Sequence, residues 1–117
     1  MKYIKRFEYN SISDPNYVIV NPLGIKSEPT VPKIKELFHD FIDNNIGLII
    51  NLSNGYLSKI YSVAYDNVPK KLLPFFMFDY GRGTKKYYIS VREEKIIKKS
   101  KDKEELEAYI NSKKYNL

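Results

Sequence analysis

Apolar residues recur at Ile34, Leu37, Phe38, Phe41 and Ile42, the spacing of one face of an α-helix. Thr30 is placed to cap that helix, Pro32 falls in its first turn, and Asn44–Asn45–Ile46–Gly47 supplies residues that tolerate the left-handed conformation of a helix end. The pattern predicts a helix over about residues 32–44. Elsewhere β-type runs dominate. Tyr3–Tyr9 and Tyr17–Val20 read as two early strands around a Ser13–Asp14–Pro15–Asn16 turn, and the prolines and Gly24 between Asn21 and Pro32 predict a surface loop. Gly47–Leu52 and Tyr56–Tyr65 flank Ser53–Asn54–Gly55, and Asn-Gly between apolar runs predicts a β-hairpin. A second hairpin is expected from Leu73–Tyr80 and Lys85–Val91, joined through Gly81–Arg82–Gly83–Thr84. The run Leu72–Tyr80 is apolar on both alternating faces until Asp79, which reads as a central strand. Asp102 followed by Glu105 fits a capping box, and Leu106, Tyr109 and Ile110 form the stripe of a short closing helix. The expected fold class is α+β: a single domain over residues 1–117, with a largely antiparallel sheet built from hairpins and two helices packed on it.

Composition narrows the chemistry. The chain has 117 residues and no cysteine, which excludes disulfides, thiolate catalysis and cysteine-based zinc sites. The basic start Met1–Arg6 is not followed by the apolar run of a signal peptide, and Ile46–Leu52 and Leu72–Phe78 are far shorter than the roughly 20 residues that cross a bilayer. A soluble, cytoplasmic protein with no membrane partner is expected. The net charge of +6 is compatible with an anionic partner or surface without identifying one, and 17 of the 20 basic residues are lysine. Arginine, the residue suited to bidentate reading of phosphates and bases, occurs only at Arg6, Arg82 and Arg92.

No catalytic constellation stands out. His39, the single imidazole, lies beside the acidic helix face without an evident nucleophile, and reads as a solvated or interface histidine. Glu36, Asp40 and Asp43 share one helical face at spacings of three and four, more in the manner of a solvent face than of a metal site. Gly81–Arg82–Gly83–Thr84–Lys85 matches neither phosphate-loop spacing and lies between β-type runs, so its glycines read as turn residues. Between Lys85 and Lys103 eight basic residues face three acidic ones, and with Tyr80, Tyr87 and Tyr88 nearby they outline a conceivable single-stranded RNA footprint. Neither the RRM signature nor the KH loop accompanies it. No cofactor or metal is implied.

The stretch Val68–Pro69–Lys70–Lys71–Leu72–Leu73–Pro74–Phe75–Phe76–Met77–Phe78–Asp79–Tyr80–Gly81–Arg82–Gly83, followed by Tyr87–Tyr88–Ile89–Ser90–Val91, resembles the core hairpin of the SUKH superfamily. The helix after Val31–Pro32 that closes on Asn44–Asn45–Ile46–Gly47, and the terminal Glu104–Ile110 segment, are similar to the first and closing helices of that superfamily. The likeness spans about residues 30–111. It implies a bacterial immunity protein that binds and neutralises a cognate protein toxin and has no catalysis of its own. On this reading the partner-binding residues are Tyr80, Arg82, Lys85, Lys86 and Tyr88, the tyrosines as anchors and the cations as partners for acidic groups. The competing reading is a small basic nucleic-acid-binding protein of phage origin, and monomer and homodimer are both compatible with the sequence.

Overall fold

A computed structural model describes residues 16–79 and 86–114. In chain order these form β1 (Tyr17–Val20), α1 (Pro32–Asp43), β2 (Gly47–Asn54), β3 (Lys59–Tyr65), β4 (Met77–Asp79), β5 (Lys86–Arg92), β6 (Ile96–Ser100) and α2 (Lys103–Lys114). The architecture is α+β: one six-stranded antiparallel sheet in the order β4-β5-β3-β2-β1-β6, with a helix on each face. Among the described residues no helix is long and apolar enough to cross a membrane. The early strand expected at Tyr3–Tyr9 lies outside the described residues.

Alternation along β3 and β5 decides which side chains are inside. Tyr61, Val63 and Tyr65 on β3, with Tyr87, Ile89 and Val91 on β5, join Val18 and Val20 of β1 on the core face. Helix α1 lays Phe38 and Ile42, both fully buried, against that face. Burying two such side chains contributes roughly 1.5–3 kcal/mol each. On the opposite face α2 covers only the β1 end of the sheet, where Leu106 and Ile110 meet Ile19.

The sheet is strongly curled. Four antiparallel pairings connect β5 through β3, β2 and β1 to β6, so β5 and β6 run in the same sense although only Glu93–Lys95 separates them. Four flat strand spacings cover about 19 Å, whereas the four Cα steps from Arg92 to Ile96 reach at most about 15 Å. The short link is therefore compatible only with a sheet that coils around its core face. The Lys99 ammonium of β6 accordingly sits 5.5 Å from the ring centroid of Tyr61 on β3.

Several sequence expectations are corrected. Over the described residues of the Leu72–Tyr80 run there is no central strand: Lys70–Phe75 forms a 3₁₀ turn, and only Met77–Asp79 is extended, at the sheet edge and paired with β5 alone. Pro74 has no N–H for a ladder, and the turn bonds Leu72 N–H to Pro69 O and Phe76 N–H to Leu73 O instead. Its apolar residues serve the core from the turn, with Leu72 fully buried and Phe76 packed on Phe38, Phe41 and Tyr65 at ring-centroid distances of 5.9, 6.1 and 6.2 Å. The β2–β3 turn lies further on than Asn54–Gly55: Asn54 pairs with Lys59, Gly55 N–H donates to Ser58 O, and Tyr56 and Leu57 form the tip. Gly55 is suited to this turn because a Cβ there would lie 2.6 Å from the Ser58 oxygen.

Helix α1 is capped by Val31 without a side-chain bond, not by Thr30, and its end is not left-handed, Asn44 having φ −108°. The Asn44 and Asn45 side-chain amides donate instead to the last-turn carbonyls of Asp40 and Phe41. At α2, Asp102 Oδ1 accepts from the Glu104 N–H as an N-cap, while the Glu105 carboxylate accepts from the Ser100 hydroxyl rather than from Asp102. Strand β6 was not expected from the sequence.

Two residues at the core rim generate predictions. The Tyr65 hydroxyl is buried without a hydrogen-bond partner among the described residues, and desolvation raises its pKa far above the ordinary tyrosine value. The folded state thus resists ionisation that the unfolded chain undergoes near pH 10, so this ionisation leaves stability unchanged below that pH and lowers it as pH rises above. Urea unfolding should show Tyr65→Phe to be as stable as the parent or about 1 kcal/mol more stable at pH 7. Above pH 10 it should lack a loss of about 1.4 kcal/mol per pH unit that the parent shows. Gly47 lies beneath the same ring: a Cβ there would overlap Val63 Cγ1 and approach Tyr65 Cζ to 3.0 Å. Gly47→Ala should lower unfolding stability by roughly 1–3 kcal/mol.

Candidate functional site

The residues opposite the core face form the most distinctive surface. Lys86, Tyr88, Ser90 and Arg92 alternate outward along β5, and Ile60, Ser62 and Ala64 do so along β3. Register aligns them in rows that cross the sheet. One row runs Met77, Tyr88, Ala64, Leu48, Tyr17, and is apolar or aromatic throughout. The next is polar, Ser90–Ser62–Asn51, and the third carries Arg92, Ile60 and Ser53. Lys86 faces Asp79 on the other side of the Tyr88 row.

Helix α2 reaches only Tyr17 at the far end of the apolar row. Met77 is 51% exposed and Arg92 is exposed, Tyr88, Leu48, Ser90, Ser62 and Ile60 are half-buried, and Ala64, at 6% exposure, is buried. The surface is therefore a tyrosine in an apolar row, flanked by hydroxyls and by cations on either side. It has the anatomy of an interface, with an aromatic anchor and a polar rim.

Of the five residues expected to bind a partner, Lys86 and Tyr88 stand two apart on this one face of β5. Tyr80, Arg82 and Lys85 lie outside the described residues, as does the Gly81–Lys85 loop. Tyr87 points the other way, into the core, with its ring 4.9 Å from that of Phe78. Arg92 was not singled out as a contact, although its even offset from Lys86 and Tyr88 was visible in the sequence.

Over its described residues, 86–103, the basic run is not one patch. Where β5 gives way to β6 the chain passes to the opposite edge of the sheet, and the β6 lysines splay to its two faces. Lys98 lies 6.0 Å from the Tyr109 ring centroid and 3.9 Å from Glu105, whereas Lys99 covers Tyr61. These cations are engaged within the fold.

His39 is held by Glu28, with Nε2 2.6 Å from Oε1, and the Lys35 ammonium lies 3.8 Å from the other Glu28 oxygen. This half-buried cluster clasps the loop from Asn21 to Val31 to α1, with Ile25 and Pro29 buried beneath it. Asp43 pairs with Lys113 of α2 at 3.0 Å, and no group of three potential metal ligands occurs among the described residues. A polar cleft of about 380 Å³ lies between the end of α1 and α2, lined by Asn44, Asn45, Asp66, Asn67, Lys103 and Glu107 among others. Its Asn44 and Asn45 amides are spent on helix carbonyls, and Asp66, Asn67, Lys103 and Glu107 are exposed. Neither cluster brings a base to a nucleophile.

No protein-family model, curated protein or solved structure matches this chain.

Two predictions separate these groups. Lys86→Ala and Arg92→Ala should each shift unfolding stability by no more than about 0.5 kcal/mol, since these side chains serve no core contact. His39→Ala should cost about 1 kcal/mol, and limited proteolysis should accelerate between Leu23 and Val31 as the clasp is lost.

Proposed function

We propose that this chain is a non-enzymatic protein-binding module of the immunity type, which neutralises a toxin by occupying it with the sheet face centred on Tyr88. The observation that carries the reading is the cross-strand row Met77–Tyr88–Ala64–Leu48, flanked by Lys86 and Arg92 and left uncovered by α2. Tyrosine on a rigid strand offers a large contact at low entropic cost, and the flanking cations would pair with acidic groups on the toxin. The resemblance of residues 30–111 to immunity proteins supports the same conclusion, although its Leu-Pro-Phe segment is a 3₁₀ turn here. Dispersal of the β6 lysines over two faces weighs against a continuous nucleic-acid track.

The test pairs the purified chain with the toxin product of an adjoining gene in calorimetry and in growth rescue. Binding should inhibit the toxin, and Tyr88→Ala combined with Arg92→Ala should weaken the complex at least 100-fold without altering the circular dichroism spectrum. Unchanged affinity would remove this face from the interface. Tight binding of single-stranded RNA, with log affinity falling linearly in log salt, would overturn the protein-binding reading.

A further inference from the structure

The Asn54–Gly55 pair does not form the tip of the β2–β3 turn. Asn54 ends β2 as the partner of Lys59, and Gly55 N–H closes the turn by donating to Ser58 O at 2.8 Å. Close approach fixes glycine at position 55, where a Cβ would also lie 2.8 Å from Ile60 Cδ1. The Asn54 side chain before it is exposed at the last rung of the ladder.

An asparagine carboxamide can be attacked by the backbone nitrogen of the next residue, closing a five-membered imide. Any side chain on that next residue hinders the attack, and glycine leaves it open. Among the asparagines of the chain, Asn54 alone precedes glycine. Asn67 precedes the β-branched Val68, and Asn51 precedes Leu52 within the ladder opposite Ser62. The Asn44 and Asn45 amides are held by the carbonyls of Asp40 and Phe41.

We infer that Asn54–Gly55 is a self-modification site, at which the chain converts Asn54 to aspartate and isoaspartate without an enzyme. The Gly55 nitrogen loses its proton to water or hydroxide and bonds to Asn54 Cγ; the Cγ–Nδ2 bond breaks, and that nitrogen takes up a proton and leaves as ammonia. Water then opens the imide. Cleavage at Cγ yields aspartate, and cleavage at the main-chain carbonyl carbon yields isoaspartate, whose backbone is one carbon longer. One water enters, one ammonia leaves, and nothing is oxidised or reduced.

The fold permits the ring to close. The Gly55 nitrogen must turn away from Ser58, which opens only the final rung and the turn, and strand ends open most readily. Asn54, Tyr56, Leu57 and Lys59 are all exposed, so this opening uncovers no core. The edge of β2 away from β3 takes no part, because the reacting atoms belong to two consecutive residues. Register also places the product: Asn54 and Lys59 are direct cross-strand neighbours, so the new carboxylate forms beside an ammonium.

The purified chain, held at pH 8 and 37 °C and followed by peptide mass spectrometry, should gain about 1 Da in the peptide carrying residues 54 and 55. Ammonia should appear in equal amount, and a less basic species should separate on cation exchange. Conversion should quicken as pH rises, since the attacking nitrogen must lose its proton. Asn54→Gln, which would need a six-membered ring, should slow conversion at least tenfold with an unchanged melting temperature. Asn54→Asp should co-elute with the aspartate product. A synthetic peptide spanning residues 50–60 supplies the clock. A chain unmodified after ten half-lives of that peptide, faster conversion at Asn44, Asn45, Asn51 or Asn67, or a rate indifferent to pH or to Asn54→Gln would each overturn the inference.

Discussion

The structure depends on packing α1 into the hollow of a curled sheet. Phe38 and Ile42 fill that hollow, and Phe41, Tyr65 and Phe76 close its rim with their rings 5.6–6.2 Å apart. Without this plug the core faces of β1, β3 and β5 would line a void that β sequence alone does not fill. The same curl sends the opposite face outward, where the fold has only the short α2 to cover it. The surface proposed to bind a partner is thus a by-product of how the interior is closed.

Much of this was legible in the sequence because periodicity reports burial. The α1 stripe, the β2–β3 hairpin, β5 and the closing helix all lie within a few residues of where the pattern puts them. The errors have a common cause in segments where apolar residues are not organised by one regular element. Leu72, Phe75 and Phe76 are as apolar as a central strand, yet Pro69 and Pro74 fold them into a turn that delivers them to the core by another route. β6 was hidden for the opposite reason. Its lysines read as a solvated rim, and edge strands use lysine to discourage further pairing. Strand order too was beyond sequence patterning, since β1 and β6 are joined by a pairing that spans most of the described chain.

The candidate surface was only half visible. Lys86 and Tyr88 were identified as neighbours on one strand, but Met77, Ala64 and Leu48 join them through register, which one strand's sequence does not contain. The basic run was misleading in the complementary way. Among the described residues Lys86 and Arg92 lie on β5, whereas Lys98 and Lys99 of β6 lie on opposite faces of the sheet, over the rings of Tyr109 and Tyr61. Linear charge density overstates a surface field wherever a strand edge divides it.

The pairing of β1 with β6 also constrains how the protein is made. Tyr17 is flanked by Leu48 on one side and by Ser100 on the other, so β1 leaves the ribosome long before its second neighbour exists. Until then Ile19 has neither its strand partner nor the Leu106 side chain that shields it. Nascent chains would expose that apolar strand throughout most of their synthesis, and completion of the sheet falls to a late, non-local step.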